Sequence, residues 1–398
     1  MTEEMGKVLK ESLGDVQEGI DIFEYMAGEG RRLYGITTPS ELRNKTAHTM
    51  RIPLGIVALI TPWNFPIAIP SWKLAAALIC GNTCIIKPSS DTPRCVYSLV
   101  KLMHDAGLPK GVVNIVTGSG NTVGMHLVQH PKIRGISFTG SKNTGIAITK
   151  HAGIKKIGLE LGGKNAIIVM DDANLDIAVD GILWGAFGTT GQRCTATSRI
   201  IVQKKIKNKL IKKLVAKTKR LRIGNGLDKK TDVGPLINQA AVNKVASYVS
   251  LGKHEGKMLC GGIKPFSKGY FFQPTIFDVK KPTARIAQEE IFGPVLTILT
   301  ANTLDQAIKL ANNIEYGLSS SIYTNNLGTA MIAIRDLEAG ITYVNSPTIG
   351  AEVHLPFGGI KHTGNGTREG SAGIDEFSEL KTVYIDYSGK LQRAQIDT

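Results

Sequence analysis

Short apolar runs alternate with helical stretches along the whole chain, and this alternation restricts the fold more than any other feature. In the first half, strand-like runs lie at 55–60, 83–87, 112–116, 133–138 and 165–170. Helical stretches between these runs cover 71–78, 95–106 and 122–129. Strand, helix and strand at this spacing predict a parallel sheet that is covered on both faces. The predicted fold class is therefore α/β.

The pattern restarts after Gly162-Gly163, which we predict to be the boundary between two α/β units. Strand candidates of the second unit lie near 199–202, 295–299, 319–323 and 340–345. A tail at 381–387 alternates Thr, Val, Tyr and Ile, which is typical of an edge strand. We expect this strand to join another part of the assembly.

Composition excludes several classes of protein. The chain has 398 residues, of which 42% are hydrophobic, enough for a large core and too many for a disordered chain. No apolar run approaches the roughly 18 residues of a membrane span, and the acidic, polar start is not typical of a signal peptide. Five cysteines are too few, and odd in number, for a disulfide framework. We expect a reducing, cytoplasmic location and no membrane partner.

The net charge of +15 is concentrated in one segment. Ten basic residues and no acidic residue lie between Lys204 and Arg222. Ile206, Leu210 and Leu214 recur every four residues there, which predicts an amphipathic helix with one buried stripe. A solvated basic face is the favoured interpretation. Binding to a phosphate backbone stays possible on charge alone, but no nucleic-acid motif is present and we expect no nucleic-acid partner.

Cys194 is a candidate nucleophile because its surroundings are polar and rich in glycine; a small buried hydrophobic residue is the alternative. Gly191 allows a close approach, and Arg193 adds a neighbouring positive charge. We expect the residues after Cys194 to open a helix whose amide dipoles stabilise a thiolate. The other four cysteines are expected to be small buried hydrophobic residues.

Three further polar residues lie in settings that suit catalysis. Glu160 stands between two leucines, and burial would raise its pKa towards that of a general base; a salt bridge with Lys164 is the alternative. Asn64 is bracketed by two prolines, so its amide can be held rigidly for oxyanion stabilisation; an ordinary Asx turn is the alternative. Glu290 precedes a turn and is either functional or merely solvated.

Two glycine-rich turns could place amides at a pyrophosphate. Residues 118–124 and 138–145 each follow a strand and precede a helix. Each signal is weak alone, since neither has the G-x-G-x-x-G spacing. His126 and His130 have no third ligand in reach, and Cys80 and Cys84 lack a second pair, so we expect no metal.

Seven blocks together resemble the aldehyde dehydrogenase superfamily over the whole chain. The blocks are 62–66 (PWNFP), 87–88 (KP), 138–141 (FTGS), 159–165 (LELGGKN), 191–194 (GQRC), 290–294 (EIFGP) and 356–361 (PFGGIK). The resemblance implies a Rossmann-like coenzyme domain, an α/β catalytic domain and a small β oligomerisation element. It also implies the nicotinamide-dependent oxidation of an aldehyde to a carboxylate.

The resemblance implies roles for the candidate residues. Cys194 would attack the aldehyde, Asn64 and the Cys194 backbone N–H would hold the oxyanion, and hydride loss would leave a thioester. Glu160 would then activate the water that hydrolyses this thioester. Glu290 would position the nicotinamide ribose.

The resemblance also implies a set of coenzyme residues. Lys87 would bond to the adenosine ribose, and Ser141 would approach the pyrophosphate. The full set is Thr61, Pro62, Trp63, Lys87, Ser90, Gly120, Gly124, Phe138, Thr139, Gly140, Ser141, Leu161, Glu290 and Phe292. Ser90 stands where relatives that prefer NAD often carry Glu. Because Ser does not repel a 2′-phosphate, we predict NADP as coenzyme, with NAD as a second possibility.

Domain bounds follow from the same resemblance. The coenzyme-binding domain is expected at 1–34 and 54–162, and the catalytic domain at 163–372. Strands at 35–53 and 380–398 are expected to form a homodimer or homotetramer. The chain is expected to begin in a helix at 2–27 and to lack N-terminal elements that relatives carry, which would expose strands of the coenzyme domain.

The substrate is expected to be a small, polar aldehyde. The segments 188–199 and 352–357 look like a branch that acts on semialdehydes, with 2-oxoglutarate semialdehyde as first candidate. D-glyceraldehyde and succinate semialdehyde are the alternatives. Arg193 would pair with a substrate carboxylate or else be structural.

Two other functions stay open. A CoA-acylating relative would pass the acyl group to CoA, which the presence of Glu160 disfavours. The chain could also be a non-catalytic structural or RNA-binding member of the fold, which only the basic helix supports. The presence of both Cys194 and Glu160 disfavours this alternative.

Overall fold

The computed structural model describes residues 1–396. Its strands, numbered along the chain, are β1 (Thr37–Pro39), β2 (Lys45–Pro53), β3 (Ile56–Ile60), β4 (Thr83–Lys87), β5 (Val113–Ile115), β6 (Ile133–Thr139), β7 (Lys156–Glu160), β8 (Asn165–Val169), β9 (Thr197–Gln203), β10 (Gly256–Cys260), β11 (Thr275–Val279), β12 (Val295–Ala301), β13 (Tyr316–Gly317), β14 (Ser319–Tyr323), β15 (Ile341–Val344), β16 (Pro356–Phe357), β17 (Ile360–Lys361), β18 (Glu369–Gly370) and β19 (Ser378–Asp386).

The helices lie mostly between consecutive strands. They are α1 (Thr2–Met5), α2 (Leu9–Glu29), α3 (Ala68–Ile79), α4 (Pro93–Asp105), α5 (Met125–Gln129), α6 (Lys142–His151), α7 (Leu175–Phe187), α8 (Lys207–Thr218), α9 (Gln239–Glu255), α10 (Arg285–Gln288), α11 (Leu304–Asn312), α12 (Leu327–Asp336) and α13 (Gly373–Phe377). A π-helical turn at Gly120–Gly124 precedes α5, and 3₁₀ turns at Gly188–Gly191 and Lys204–Ile206 precede β9 and α8.

Five parallel strands form the first sheet, in the order β5-β4-β3-β6-β7. From the central β3 the chain first adds strands on one side and then, with β6, on the other. The carboxyl ends of β3 and β6 therefore flank a switch point, where ligands of open α/β sheets bind. The predicted parallel sheet is confirmed, and its strands are apolar because helices cover both faces.

Seven strands form the second sheet, in the order β10-β11-β12-β9-β8-β14-β15. All neighbours are parallel except β10, which pairs with β11 antiparallel. Two apolar clusters cover its faces. The chain passes from the first sheet to the second between Glu160 and Asn165, around the predicted Gly162-Gly163 boundary.

A third sheet has the order β1-β2-β19, with β19 antiparallel to β2 from Ser378 opposite Pro53 to Asp386 opposite Lys45. Most of β19 is exposed. The predicted tail strand is present, and the structure extends it backwards to Ser378. Residues 397–398 of the predicted oligomerisation segment lie outside the described residues.

One predicted helix is wrong in its extent. The expected helix at 2–27 is divided into α1 and α2, because Gly6 adopts a φ of +84° and ends α1. A side chain at Gly6 would also collide with Pro235, since an added Cβ would lie 2.3 Å from that ring. The break buries Lys7 beside Asp15, so this segment belongs to the interior of the molecule.

Among residues 1–396, no helix is long and apolar enough to cross a membrane. The same residues contain no cluster of His, Cys, Asp and Glu that could hold a metal ion.

Candidate active site

The candidate coenzyme residues collect at the carboxyl edge of the first sheet. Thr61 follows β3, Lys87 ends β4, Thr139 ends β6 and Leu161 follows β7. The Thr61 N–H donates to the Lys87 carbonyl over 3.1 Å, so the two strand ends stay in register. Parallel strands bring these residues together although they are up to 100 positions apart in sequence.

A cavity of about 280 Å³ opens at this edge, which we call the strand-end cavity. Its wall on the first sheet includes Pro62, Trp63, Thr139, Gly140, Ser141 and Leu161. Its opposite wall includes Glu290 and Phe292, and both Asn64 and Cys194 reach it. The structure thus joins most of the predicted coenzyme residues with two of the three candidate catalytic residues.

The remaining predicted coenzyme residues lie beside this cavity rather than in it. Lys87 is buried and donates to the Pro88 carbonyl over 2.9 Å, and burial lowers the pKa of its ammonium group. An added Cβ at Gly124 would lie 3.7 Å from the Lys87 side chain. Ser90 donates to the Gly118 carbonyl over 3.3 Å. Gly120 opens the π-helical turn of the same loop, while Phe138 is buried within β6.

Glu290 is bound to the segment that joins the two sheets. Its carboxylate accepts the Gly163 N–H over 2.9 Å, and loss of water around it raises its pKa. A Cβ at Gly162 would lie 2.5 Å from this carboxylate, so only glycine allows the contact. Phe292, in a left-handed conformation, packs edge-on against Trp63 with centroids 5.4 Å apart. Glu290 is therefore positioned by packing, and the interpretation of a merely solvated residue is wrong.

A second cavity of about 130 Å³, which we call the inner cavity, shares Cys194 with the first. Glu160, Phe65, Trp72 and Arg193 are among its other lining residues. Cys194 consequently stands where the two cavities meet. A molecule in either cavity can reach this residue.

The electrostatic setting of Cys194 differs from the expectation. Burial raises the pKa of its thiol to about 12, and the charges of Glu160 and Glu290 add to this. The predicted helix after Cys194 is absent: a turn leads into β9, because the β-branched residues that follow pair with β8 and β12. Burial and the two carboxylate charges both favour the neutral thiol over the thiolate.

Arg193 does not supply the predicted charge to the thiol. Its Nε donates to Thr189 Oγ1 over 2.8 Å, and its Nη2 lies 3.2 Å from Glu11 Oε1. Its guanidinium group also stacks over Phe65 and Trp184. Arg193 is thus held by Glu11, Thr189 and two aromatic rings, and it also lines the inner cavity.

Asn64 is buried, and its amide is fixed by the loop that carries Cys194. Asn64 Nδ2 donates to the Gln192 carbonyl over 3.0 Å. The bond joins two segments that are 128 positions apart, so it is not an Asx turn. The amide is held at the wall of the strand-end cavity beside Cys194.

Glu160 is a buried carboxyl group without hydrogen bonds: neither of its oxygens has a partner. Burial, and next the charge of Glu369, raise its pKa well above the usual range of a glutamate. The alternative of a salt bridge with Lys164 is wrong, because the Lys164 ammonium group is buried and makes no hydrogen bond. Burial lowers the pKa of Lys164 to about 7.

Sequence reasoning missed the charged residues around Glu160. Lys73 is buried, pairs with Glu369 and donates to Ser137 over 2.7 Å. Glu376 is also buried beside this pair, and burial raises its pKa to about 7. The sequence gives one indication of this charged cluster, which is the position of Lys73 within the apolar stretch of α3. Its partner Glu369 is 296 positions away, and no local pattern indicates it.

Lys244 of α9 was also missed. It lines the strand-end cavity, and its charge acts on Glu290. On sequence alone it is one lysine of an ordinary amphipathic helix, and nothing local distinguishes it.

Comparison with known proteins agrees with this geometry. Residues 1–383 match the aldehyde dehydrogenase family. The chain is 42% identical to the alpha-ketoglutaric semialdehyde dehydrogenase of Bacillus subtilis, over 96% of this chain and 80% of that protein. It is also 42% identical to the 2,5-dioxopentanoate dehydrogenase of Saccharolobus solfataricus, over 96% of this chain and 82% of that protein.

Solved structures match over nearly the whole chain. Betaine aldehyde dehydrogenase from Staphylococcus aureus, a point mutant in complex with NAD⁺, has a TM-score of 0.95 and 36% identity, over 98% of this chain and 80% of that chain. An E. coli NADP-dependent enzyme has a TM-score of 0.94 and 38% identity, over 97% of this chain and 81% of that chain. The predicted fold is confirmed. The chain belongs to the aldehyde dehydrogenase family and is an NAD(P)-dependent aldehyde dehydrogenase.

Proposed function

We propose that this enzyme oxidises its aldehyde through a thioester on Cys194. The observation that carries the proposal is the position of Cys194 on the walls of both cavities. The inner cavity would hold the aldehyde and the strand-end cavity the nicotinamide. Attack by sulfur on the carbonyl carbon forms a C–S bond and divides one difficult oxidation into two steps.

The strand-end cavity fits a nicotinamide coenzyme. It lies at a switch point of parallel strands, Ser141 begins α6 there, and the Glu290 carboxylate can accept a ribose hydroxyl. When bound, the nicotinamide would accept the hydride. Lys87 and Gly124 would hold the adenosine end, beside Ser90.

Asn64 and the backbone N–H of Cys194 would stabilise the oxyanion formed by the attack. A donor acts best when it is already fixed before the charge develops. The Asn64 amide is fixed in this way by its hydrogen bond to the carbonyl of Gln192, which lies two residues before Cys194.

Glu160 would take the thiol proton, release it to water after the attack, and then, as a carboxylate again, accept a proton from the water that hydrolyses the thioester. Burial raises its pKa well above that of an ordinary glutamate, which makes it a stronger base, and neither of its oxygens is occupied by a hydrogen bond. Its place on the inner cavity gives it access to the thioester.

We propose 2-oxoglutarate semialdehyde as substrate. Proteins whose names specify this compound, or its synonym, are 40–42% identical to the chain. The inner cavity, at about 130 Å³, suits a short aldehyde, and Arg193 is a cation on its wall. D-glyceraldehyde and succinate semialdehyde remain the other candidates.

We also propose NADP as the preferred coenzyme, a homo-oligomeric state and a cytoplasmic location. Ser90 places no negative charge near the adenosine end. The exposed strand β19 supports association through the third sheet. All five cysteines are unpaired, which agrees with a reducing compartment.

A coenzyme-reduction assay over the three aldehydes tests the proposal. We expect the highest kcat/KM with 2-oxoglutarate semialdehyde. Cys194→Ala should abolish turnover, and Asn64→Ala should lower kcat by about 100- to 1000-fold. Glu160→Gln should leave single-turnover hydride transfer measurable but slow thioester hydrolysis. Turnover that requires CoA would favour the acylating alternative, and normal turnover by Cys194→Ala would refute the mechanism.

A further inference from the structure

The loop before Cys194 contains two residues in an unfavourable backbone conformation. Thr189 has φ 49° and ψ 29°, and Thr190 has φ 59° and ψ 31°. Both values lie in the left-handed region, which β-branched residues rarely adopt. Such a conformation persists only when surrounding contacts enforce it.

Glu11 of α2 supplies these contacts. The Thr189 N–H donates to both of its carboxylate oxygens, over 2.9 and 3.0 Å. The Thr189 hydroxyl donates to Glu11 Oε2 over 3.2 Å, and Arg193 Nη2 donates to Oε1 over 3.2 Å. Glu11 is buried, so nearly all of its bonding capacity is directed at this loop.

A continuous chain of hydrogen bonds leads from Glu11 to Asn64. Thr189, which Glu11 holds, accepts the backbone N–H of Gln192 at its carbonyl over 3.0 Å. The Gln192 carbonyl in turn accepts the Asn64 amide over 3.0 Å. Thr189 is thus linked through Gln192 to the Asn64 amide, and Gln192 lies two residues before Cys194.

The next turn of α2 holds the other side of this arrangement. Asp15 accepts the Ala68 N–H at the start of α3 over 2.7 Å, four residues after Asn64. It also pairs with Lys7, whose ammonium group lies 3.7 Å from the centre of the Phe65 ring. One helix therefore fixes both segments that form the oxyanion site.

We propose that Glu11 is a positioning residue for the oxidation reaction: by holding Thr189 in the left-handed conformation it aligns Cys194 with the Asn64 amide. The inference rests on the roles proposed for Cys194 and Asn64. Glu11 lines neither the strand-end cavity nor the inner cavity, so it would act through Thr189 and Gln192.

Kinetics of the full-length protein test the proposal through a rescue. Glu11→Ala should lower kcat by about 100-fold, comparable to the loss of one oxyanion donor, with little change in the Kd of NADP. Thr189→Gly should restore a large part of this loss in the double variant, because glycine adopts a positive φ without strain. A role in stability alone predicts wild-type kcat per competent site in Glu11→Ala, because the molecules that remain folded would then turn over normally. Glu11→Gln, which keeps the size, should give an intermediate loss.

Glu29→Gln is the matched control, because it changes the same residue type at the far end of the same helix. Turnover is expressed per competent site, counted by alkylation of Cys194. Wild-type kcat per site in Glu11→Ala, or a loss that Thr189→Gly deepens, would overturn the proposal.

Amide hydrogen exchange separates this inference from the proposed function, because it needs no activity. In Glu11→Ala, exchange at residues 188–194 should accelerate by about tenfold or more, since the acceptor of the Thr189 N–H is lost. Exchange there should be unchanged in Glu29→Gln. Unchanged exchange in Glu11→Ala would overturn the inference even if the wild-type enzyme oxidises aldehydes as proposed. Faster exchange with an inactive wild type would sustain the positioning of the loop and refute the proposed chemistry.

Discussion

At the scale of single residues, burial controls the chemistry of the site more than neighbouring positive charge does. The thiol of Cys194 and the carboxyl of Glu160 both have raised pKa values, and burial is the main cause for each. A neutral thiol beside a carboxyl group of raised pKa can transfer its proton when substrate is in place. In the proposed mechanism, the thiol would therefore stay unreactive until an aldehyde binds.

The raised pKa of Cys194 predicts the pH dependence of its alkylation. In the coenzyme-free protein, the rate with iodoacetamide should rise about tenfold per pH unit between pH 7 and 9, because the thiolate fraction grows in that proportion below the pKa. Cys194→Ala measures the background from the other cysteines. A plateau below pH 8 would contradict a neutral resting thiol.

Ser90 predicts the choice of coenzyme. Ser90→Glu should lower kcat/KM for NADP by about tenfold or more and change that for NAD little, because a carboxylate would repel the 2′-phosphate. Ser90→Gln, of the same size but neutral, is the control. Equal effects of the two variants on NADP would refute a charge-based preference.

At the scale of elements, the basic helix α8 is tied to its surroundings by aspartates. Lys213 and Lys217 pair with Asp176 and Asp180 of the neighbouring helix α7. Lys207 pairs with Asp278 of β11. These contacts favour a solvated face that packs on the second sheet over a surface for nucleic acid.

The helix α7 that faces α8 begins with a defined cap. The Asn174 side chain accepts the N–H groups of Asp176 and Ile177 over 3.1 and 3.3 Å. Asn174→Ala should lower the free energy of unfolding by about 1 kcal/mol, as measured by urea denaturation. Asn174→Ser keeps a cap and should cost only a few tenths of that amount. Equal losses in both variants would show that the cap contributes nothing.

At the scale of the whole molecule, the third sheet presents an exposed apolar edge strand. It joins residues near 45–53 to residues near 378–386, and it leaves Leu380, Tyr384 and Ile385 at least half exposed. An exposed apolar edge strand is a surface for pairing with another chain.

This surface provides a test of the proposed homo-oligomer. Ile385→Lys should shift the protein towards the monomer in light scattering, because a charge would then be buried between subunits. Tyr97→Lys, which changes an exposed aromatic residue on α4, should leave the mass unchanged. An oligomer unaffected by Ile385→Lys would assign the interface elsewhere.

Local patterns in the sequence were sufficient for most central strands of the two large sheets and for the residues named by the motifs, but β7, β10 and β11 were not predicted. Short apolar runs and their spacing along the chain indicate strands such as β4 and β14, and the predicted bounds of these two strands agree with the structure to the residue. The motifs around Asn64, Glu160 and Cys194 are contiguous in sequence, so they can be recognised without coordinates.

Tertiary structure alone decided the surroundings of those residues. Glu11 reaches Thr189 across 178 positions, and Lys73 reaches Glu369 across 296. No periodicity encodes such distances, because the contacts exist only once two sheets and α2 have packed together. Burial follows from the same packing, and burial determines whether the thiol and the carboxyl group carry a charge.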